Sequence, residues 1–378
     1  MADRLQGYKD KLAWLRKECA RMGWDCQWLD QIDNRLSWSI DQLRIYREAI
    51  VPLINEEVCV TVCGSFGRLE ATAQSDIDLL MIVNKKHSAI SSEDSNRYCQ
   101  MFENVVRRIH ELNTNAFSEK NIAVYDDPSF VQEYQIKHLH SDMFRRWLPL
   151  DIAFGNSFDE QNSVQQQIRR VSLLLESESI TNNTFSKNFS GIMLQEWLDI
   201  PATRGEHWRC PHNTWNLLIR EILRFLHSSH LLHFHKVKNQ GKSPHLRYQK
   251  LRVTRKMLGL AAFLLLFESR TQSELFSFIS APPIIKLIAL LDYELPRCGQ
   301  ERPPSLGLIT GYSQSIDNLE NQRSLEQGDS DSNVPEQMDA LYERGWTDNE
   351  IHGHLQSFFD FRSKRRGEQT KDMLSVLF

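Results

Sequence analysis

Apolar residues recur at helical spacing through the first fifty positions. Leu12, Trp14, Leu15, Trp24, Trp28, Leu29, Leu36, Trp38, Ile40, Leu43 and Ile45 stand there among charged neighbours. The spacing predicts helix, broken at Gly23 and at Asp33–Asn34, with the Trp side chains on a face packed against the next domain. From Val51 the pattern changes. Residues 58–63 form a short β-branched run closed by Gly64-Ser65, and residues 77–83 form a second strand-like run. Residues 91–112 place Tyr98, Met101, Phe102, Val105, Val106, Ile109 and Leu112 on one stripe of an amphipathic helix. Residues 122–125 and 147–154 are further strand candidates. Beyond Asp159 the period is helical, over 164–178, 213–235, 246–268 and 273–292, punctuated by Pro282-Pro283, Pro296 and Pro303-Pro304. No internal repeat is visible.

The predicted fold class is α+β: a small mixed-sheet domain between N-terminal helices and a C-terminal helical domain. The expected boundaries are an N-terminal helical segment at 1–50, the sheet domain at 51–160 and a helical domain at 161–319. Residues 320–336, rich in Ser, Asp, Asn, Gln and Glu, read as a flexible acidic linker. A helical tail at 337–378 carries the basic cluster Arg362, Lys364, Arg365 and Arg366.

Composition narrows the function classes. The 378 residues suffice for two or three compact units. With 45 Lys+Arg against 49 Asp+Glu, the net charge of −4 argues against a general coat for DNA or anionic membrane. Seven scattered cysteines include no CxxC pair, so neither a disulfide framework nor a zinc ribbon is favoured. The charged start of the chain does not resemble a signal peptide, and the longest apolar run, 257–267, is about half a membrane span. The expected location is the cytoplasm.

The stretch with chemistry in it runs from Val60 to Leu80. A strand ends at Gly64-Ser65, where a helix is expected to start; glycine allows close approach of a ligand, and the first amides with the Ser hydroxyl suit phosphate oxygens. Further on comes Asp76-Ile77-Asp78. Alternate residues of a strand share a face, so both carboxylates project together, an arrangement that suits Mg2+ or Mn2+. A phosphate cradle beside a carboxylate pair is equipment for phosphoryl or nucleotidyl transfer. Either feature alone is weak, since many strands end in Asp-x-Asp at a solvent edge. Their combination, strand before and strand after, carries the reading.

This segment resembles the signature of the DNA polymerase β nucleotidyltransferase superfamily, Gly-Ser followed by Asp-x-Asp. Gly64, Gly67, Arg68, Glu70 and Ser75 through Leu80 make it similar to the amino-terminal domain of PII-protein uridylyltransferases and to a group of bacterial nucleotidyltransferases of undefined acceptor. Those relatives usually have Gly between Arg and Glu, where this chain has Leu69, which questions a tight turn there. Thinner echoes at 169–177 and 250–256 extend the resemblance over about residues 55–265. No His-Asp hydrolase motif is present, and the chain is too short for the regulatory domains of the uridylyltransferases.

The resemblance implies that Gly64 and Ser65 hold the β- and γ-phosphates of a nucleoside triphosphate, and that Asp76 and Asp78 ligate Mg2+ or Mn2+. It also implies a third carboxylate that serves as base and ligand; Asp151 is the first candidate, with Asp126 and Asp127 as competitors. Arg68 is counted among the nucleotide-binding residues, although a surface pair with Glu70 explains it equally well.

Between Glu221 and Glu268 no acidic residue occurs, while Arg224, Lys236, Lys238, Lys242, Arg247, Lys250, Arg252, Arg255 and Lys256 do. Lys250, Arg252, Arg255 and Lys256 are the first candidates for contacts to the triphosphate, and the 224–256 stretch for an RNA or protein acceptor. A solvated helix face is the plain alternative. His227, His230, His233 and His235 lack an accompanying carboxylate or Cys and read as ordinary histidines. The expected function is transfer of a nucleoside monophosphate to a hydroxyl of a protein, tRNA, small molecule or second nucleotide. The alternative is a nucleotide-binding regulatory module that does not turn over. Membrane association is not expected, and the oligomeric state is left open.

Overall fold

The computed structural model describes residues 2–75, 77–83, 91–113, 139–140, 171, 173–181, 218–219, 221–226, 229, 250–268, 278–298 and 302–327, with 353, 356, 357 and 360. Helix α1 spans Ala2–Met22 and α2 spans Trp28–Ile50. The break between them falls at Gly23, whose φ of +68° suits a residue without Cβ. Asp33-Asn34, the other expected break, lies inside α2 without interrupting it. Both side chains can point outward from a continuous helix, and the buried stripe of Leu29, Ile32, Leu36, Leu43, Tyr46 and Ile50 runs straight past them. Of the N-terminal Trp residues only Trp28 is buried; Trp14, Trp24 and Trp38 are half-buried, and the core face is mostly Leu.

Strand β1 (Val58–Cys63) pairs antiparallel with β2 (Asp78–Val83), from Val58 opposite Val83 to Cys63 opposite Asp78. Every residue of β1 is buried, and the sheet order β3-β2-β1-β4 gives it a pairing neighbour on each edge. Between the two strands sits α3 (Gly64–Gly67), a single turn. Helix α4 (Ser92–Leu112) follows β2 and leads toward β3 (Leu139–His140), which runs parallel to β2. Its start is a capping box: the Asp94 amide donates to Ser91 Oγ at 3.0 Å and the Ser91 amide to Asp94 Oδ2 at 3.4 Å. Tyr98, Phe102, Val105, Val106 and Ile109 bury its stripe, while Leu112 ends exposed.

Residues 173–176 are helical, as the period predicts, but Glu178–Ser179 forms strand β4, antiparallel to β1. The strand candidates at 122–125 and 147–154 lie outside the described residues. The fold is a mixed, helix-rich α+β arrangement.

Further helices are α5 (Lys256–Glu268), preceded by a π-helical turn at Leu251–Arg255, then α6 (Pro283–Cys298) and α7 (Pro304–Gln327). Met257, Leu258 and residues 260–266 of α5 are all buried, an apolar surface all round that fits a helix enclosed by others. Glu294 of α6 secures the start of α7, accepting from the Ser305 amide at 3.1 Å and its hydroxyl at 2.7 Å. Helix α7 continues through Gln327, so residues 320–327 are helix where composition predicts a linker.

Two compact units result. One gathers the described residues of 2–7, 33–218 and 280–282, including the sheet; the other gathers those of 8–32, 219–279 and 283 onward. Among the described residues no helix is long and apolar enough to cross a membrane.

Candidate active site

The site begins with the β1–β2 register. Because the strands are antiparallel, the last residue of β1 faces the first of β2, and Cys63 lies opposite Asp78. The turn that leaves β1 therefore starts beside the Asp78 carboxylate. Gly64 takes a φ of +68°, and a Cβ built on it would lie 2.5 Å from Asp78 Oδ2. The conformation favours glycine, and a Cβ would fit only if the Asp78 carboxylate moved away. Asp78 is exposed and its neighbours Ile77 and Leu79 are buried, the alternation expected where a strand begins at a site.

Helix α3 holds the turn down. Phe66 is completely buried, with its ring centroid 5.8 Å from Trp38 and 6.0 Å from Tyr46, both on α2. The Arg68 amide donates to the Gly64 carbonyl at 3.0 Å and the Glu70 amide to the Ser65 carbonyl at 2.9 Å. Ser65 is half-buried. Gly67 packs on another main chain: a Cβ there would lie 1.8 Å from the Glu176 carbonyl oxygen and 2.8 Å from that of Val62.

Leu69 answers the question raised by its replacement of glycine. It adopts φ +57°, the left-handed conformation a Gly would take freely, and its side chain is buried. The tight turn exists despite Leu. Burial of a Leu side chain, about 1.5–3 kcal/mol, outweighs a left-handed cost of about 1–2 kcal/mol.

Arg68 and Glu70 do not form a surface pair. The Arg68 side chain is 6% exposed; its Nε donates to Glu70 Oε2 at 2.7 Å and its Nη1 donates to Glu176 Oε2. Sequence reasoning reaches Glu176 only through the 169–177 echo and gives it no role. The signal there is a carboxylate in a resembling segment; the partner is not legible. Beyond Glu70, the Ala71 amide donates to buried Ser39 Oγ at 3.0 Å, and the Thr72 amide donates to Ser75 Oγ at 3.0 Å. These bonds fix the loop up to the residue before Asp76.

The segment after Glu176 is equally anchored. The Ile180 amide donates to the Val60 carbonyl at 2.8 Å, and Arg47 Nε donates to the Ile180 carbonyl at 2.8 Å. Burial draws the Arg47 guanidinium below its ordinary range, and nearby Glu178 partly offsets this.

Asp76 and Asp151 lie outside the described residues, as do Asp126 and Asp127. Lys250, Arg255 and Lys256 are half-buried around the π-helical turn of the helical unit, where Thr254 Oγ1 donates to the Lys250 carbonyl at 2.6 Å; the Arg252 side chain is not among those described. The structure thus brings together Gly64, Ser65, Arg68 and Asp78 of the predicted set. His227, His230, His233 and His235 lie outside the described residues, and among the described residues no group of three or more His, Cys, Asp or Glu could hold a metal ion.

Residues 39–115 match the family model described as "Putative nucleotidyltransferase DUF294". The match is consistent with a member of the nucleotidyltransferase superfamily, and it spans β1, the α3 turn, β2 and α4. A comparison with curated proteins finds no match.

Proposed function

We propose that this chain is a metal-dependent nucleotidyltransferase that moves a nucleoside monophosphate from a nucleoside triphosphate to a hydroxyl acceptor, releasing pyrophosphate. The observation that carries the reading is the contact of Asp78 with Gly64: an exposed carboxylate lies where a side chain would otherwise fill the start of the Gly-Ser turn. A hard, acceptor-only oxygen donor beside a glycine-opened cradle fits a divalent cation. Asp76, Asp78 and Asp151 would hold Mg2+ or Mn2+, which supplies charge neutralisation at the α-phosphate and the departing pyrophosphate.

The chain's own residues bind and orient. Gly64 and Ser65 receive the β- and γ-phosphates, with the first amides of the turn, which have no intrahelical acceptor, as donors. Asp151 takes the proton of the acceptor hydroxyl as its oxygen bonds to the α-phosphorus and the bond to pyrophosphate breaks. Lys250, Arg252, Arg255 and Lys256 lend positive charge to the triphosphate or to a polyanionic acceptor such as RNA. Arg68, engaged by two carboxylates, contributes position rather than a phosphate contact. The proposed location is cytoplasmic.

The test is incubation with α-labelled NTPs, Mg2+ or Mn2+ and cell extract. Label appearing on an acceptor with matching pyrophosphate, both lost in Asp78→Asn, supports the transferase. NTP binding without pyrophosphate release from any mixture, purified tRNA and NTP alone included, supports the regulatory module instead.

A further inference from the structure

The loop that carries Gly64 and Ser65 is too short to hold itself. A single helical turn fixes several dihedral angles for few hydrogen bonds, and α3 has no side-chain cap at its start. Its shape comes from tertiary contacts, among them one with Glu176, more than a hundred residues away. There the contact is double: the Glu176 main chain lies against Gly67, and its carboxylate accepts from Arg68.

Glu176 is itself rigidly mounted. Ser177 Oγ donates to the Leu173 carbonyl, Glu178 and Ser179 pair with Val62 and Thr61 of β1, and Arg47 donates to the carbonyls of Ser179 and Ile180. The segment is thus fixed to the strand from which the loop departs. Arg68 spans the gap, held at one side by Glu70 of its own loop and at the other by Glu176. Buried ion clusters of this kind are a weak source of stability, since an apolar replacement of similar volume often does as well. What they supply is geometry, because a planar guanidinium donates to its carboxylates only in defined directions.

We infer that Glu176 is a positioning residue for the Gly64–Ser65 turn, acting through Arg68 to hold that turn against Asp78. The inference rests on the nucleotidyltransferase reading, and it assigns a role in the site to a residue outside the matched segment 39–115. Loss of the Glu176 carboxylate removes the tie between Arg68 and the 173–180 segment and lets the turn drift from the carboxylate it faces. Glutamine at the same position keeps an acceptor oxygen but not its charge, so its effect is intermediate.

The experiment compares Glu176→Ala, Glu176→Gln and Arg68→Lys with the wild type in the full chain. Mn2+-dependent binding of each NTP is measured per folded protein, together with backbone amide hydrogen exchange. The expected result is a loss of affinity of roughly 10–100-fold in Glu176→Ala and a smaller loss in Glu176→Gln. Amides of Arg68, Leu69 and Glu70, which donate to the carbonyls of Gly64, Phe66 and Ser65, exchange faster while those of α4 keep their wild-type rates. Wild-type exchange at 68–70 in Glu176→Ala overturns the inference, and so does wild-type affinity. A uniform acceleration that includes α4 does the same, because it marks a merely structural residue. A wild type that binds no NTP overturns the nucleotidyltransferase reading; local acceleration at 68–70 in the variants then still upholds the mechanical link, and its absence refutes that too.

Discussion

The glycines of the α3 turn differ in what a methyl group would meet. At Gly64 it meets the end of an exposed Asp side chain, which can swing aside. Gly64→Ala is expected to cost about 1–2 kcal/mol from the left-handed backbone alone and, on the proposed reading, to abolish nucleotide transfer by displacing Asp78. At Gly67 the methyl group meets main chain on two sides, neither of which can yield without moving β1 or the Glu176 segment. Gly67→Ala is expected to cost about 3 kcal/mol or more. Urea denaturation should rank Gly67→Ala well below Gly64→Ala, while transfer is lost in both; equal stabilities would refute the assignment of the contacts. Leu69 provides a third case. Leu69→Ala loses burial, about 2–5 kcal/mol, but keeps the left-handed strain. Leu69→Gly removes that strain, so it should be no less stable than the Ala variant despite one carbon fewer. Gly64, Ser65 and Asp78 were legible as candidates because their chemistry is local; Asp76 lies outside the described residues. The roles of Leu69 and Arg68 were not, since a positive φ and a buried ion cluster depend on what surrounds them.

Strands β1 and β2 and helix α4 coincide closely with the runs read from hydrophobic period, because each buries a face or a whole strand whose pattern is contiguous in sequence. Helix α4 also carries its own start signal. Ser91→Ala is expected to lower stability by about 1 kcal/mol, and Ser91→Asp to preserve it, as read by thermal denaturation. Elements that form by pairing across long separations were hidden: β4 exists because Glu178 and Ser179 meet Val62 and Thr61, and the two residues have no strand pattern of their own. At the α1–α2 turn, burial pushes the Cys19 thiol up from 9.0 to about 11, with Cys26 adding to the shift. Folding therefore favours the protonated thiol. Its contribution is fully present below pH 9 and is lost as pH rises toward 11, a fall of about 2–3 kcal/mol. Cys19→Ala should be free of that portion of the alkaline loss in denaturation curves taken across this range.

At the scale of the whole molecule, a net charge of −4 conceals the segment between Glu221 and Glu268, which has no acidic residue. On the proposed reading, binding of a polyanionic acceptor weakens steeply with salt although the chain is acidic. Tested on tRNA, Lys250→Gln with Lys256→Gln should flatten the slope of log K against log salt by about 1 for each phosphate left without its lysine. An unchanged slope would remove these residues from the acceptor site. The sequence by itself determined the α+β class, the central strands and helix α4, and it singled out Gly64, Ser65 and Asp78 as candidates. Each depends on periodicity or on chemistry carried within a short stretch. Only the tertiary structure decided that Asp78 lies against Gly64, that Gly67 is enclosed by main chain, and that Glu176 reaches back to Arg68. Those facts depend on which distant segment fills the space beside the loop, and no local pattern encodes that choice.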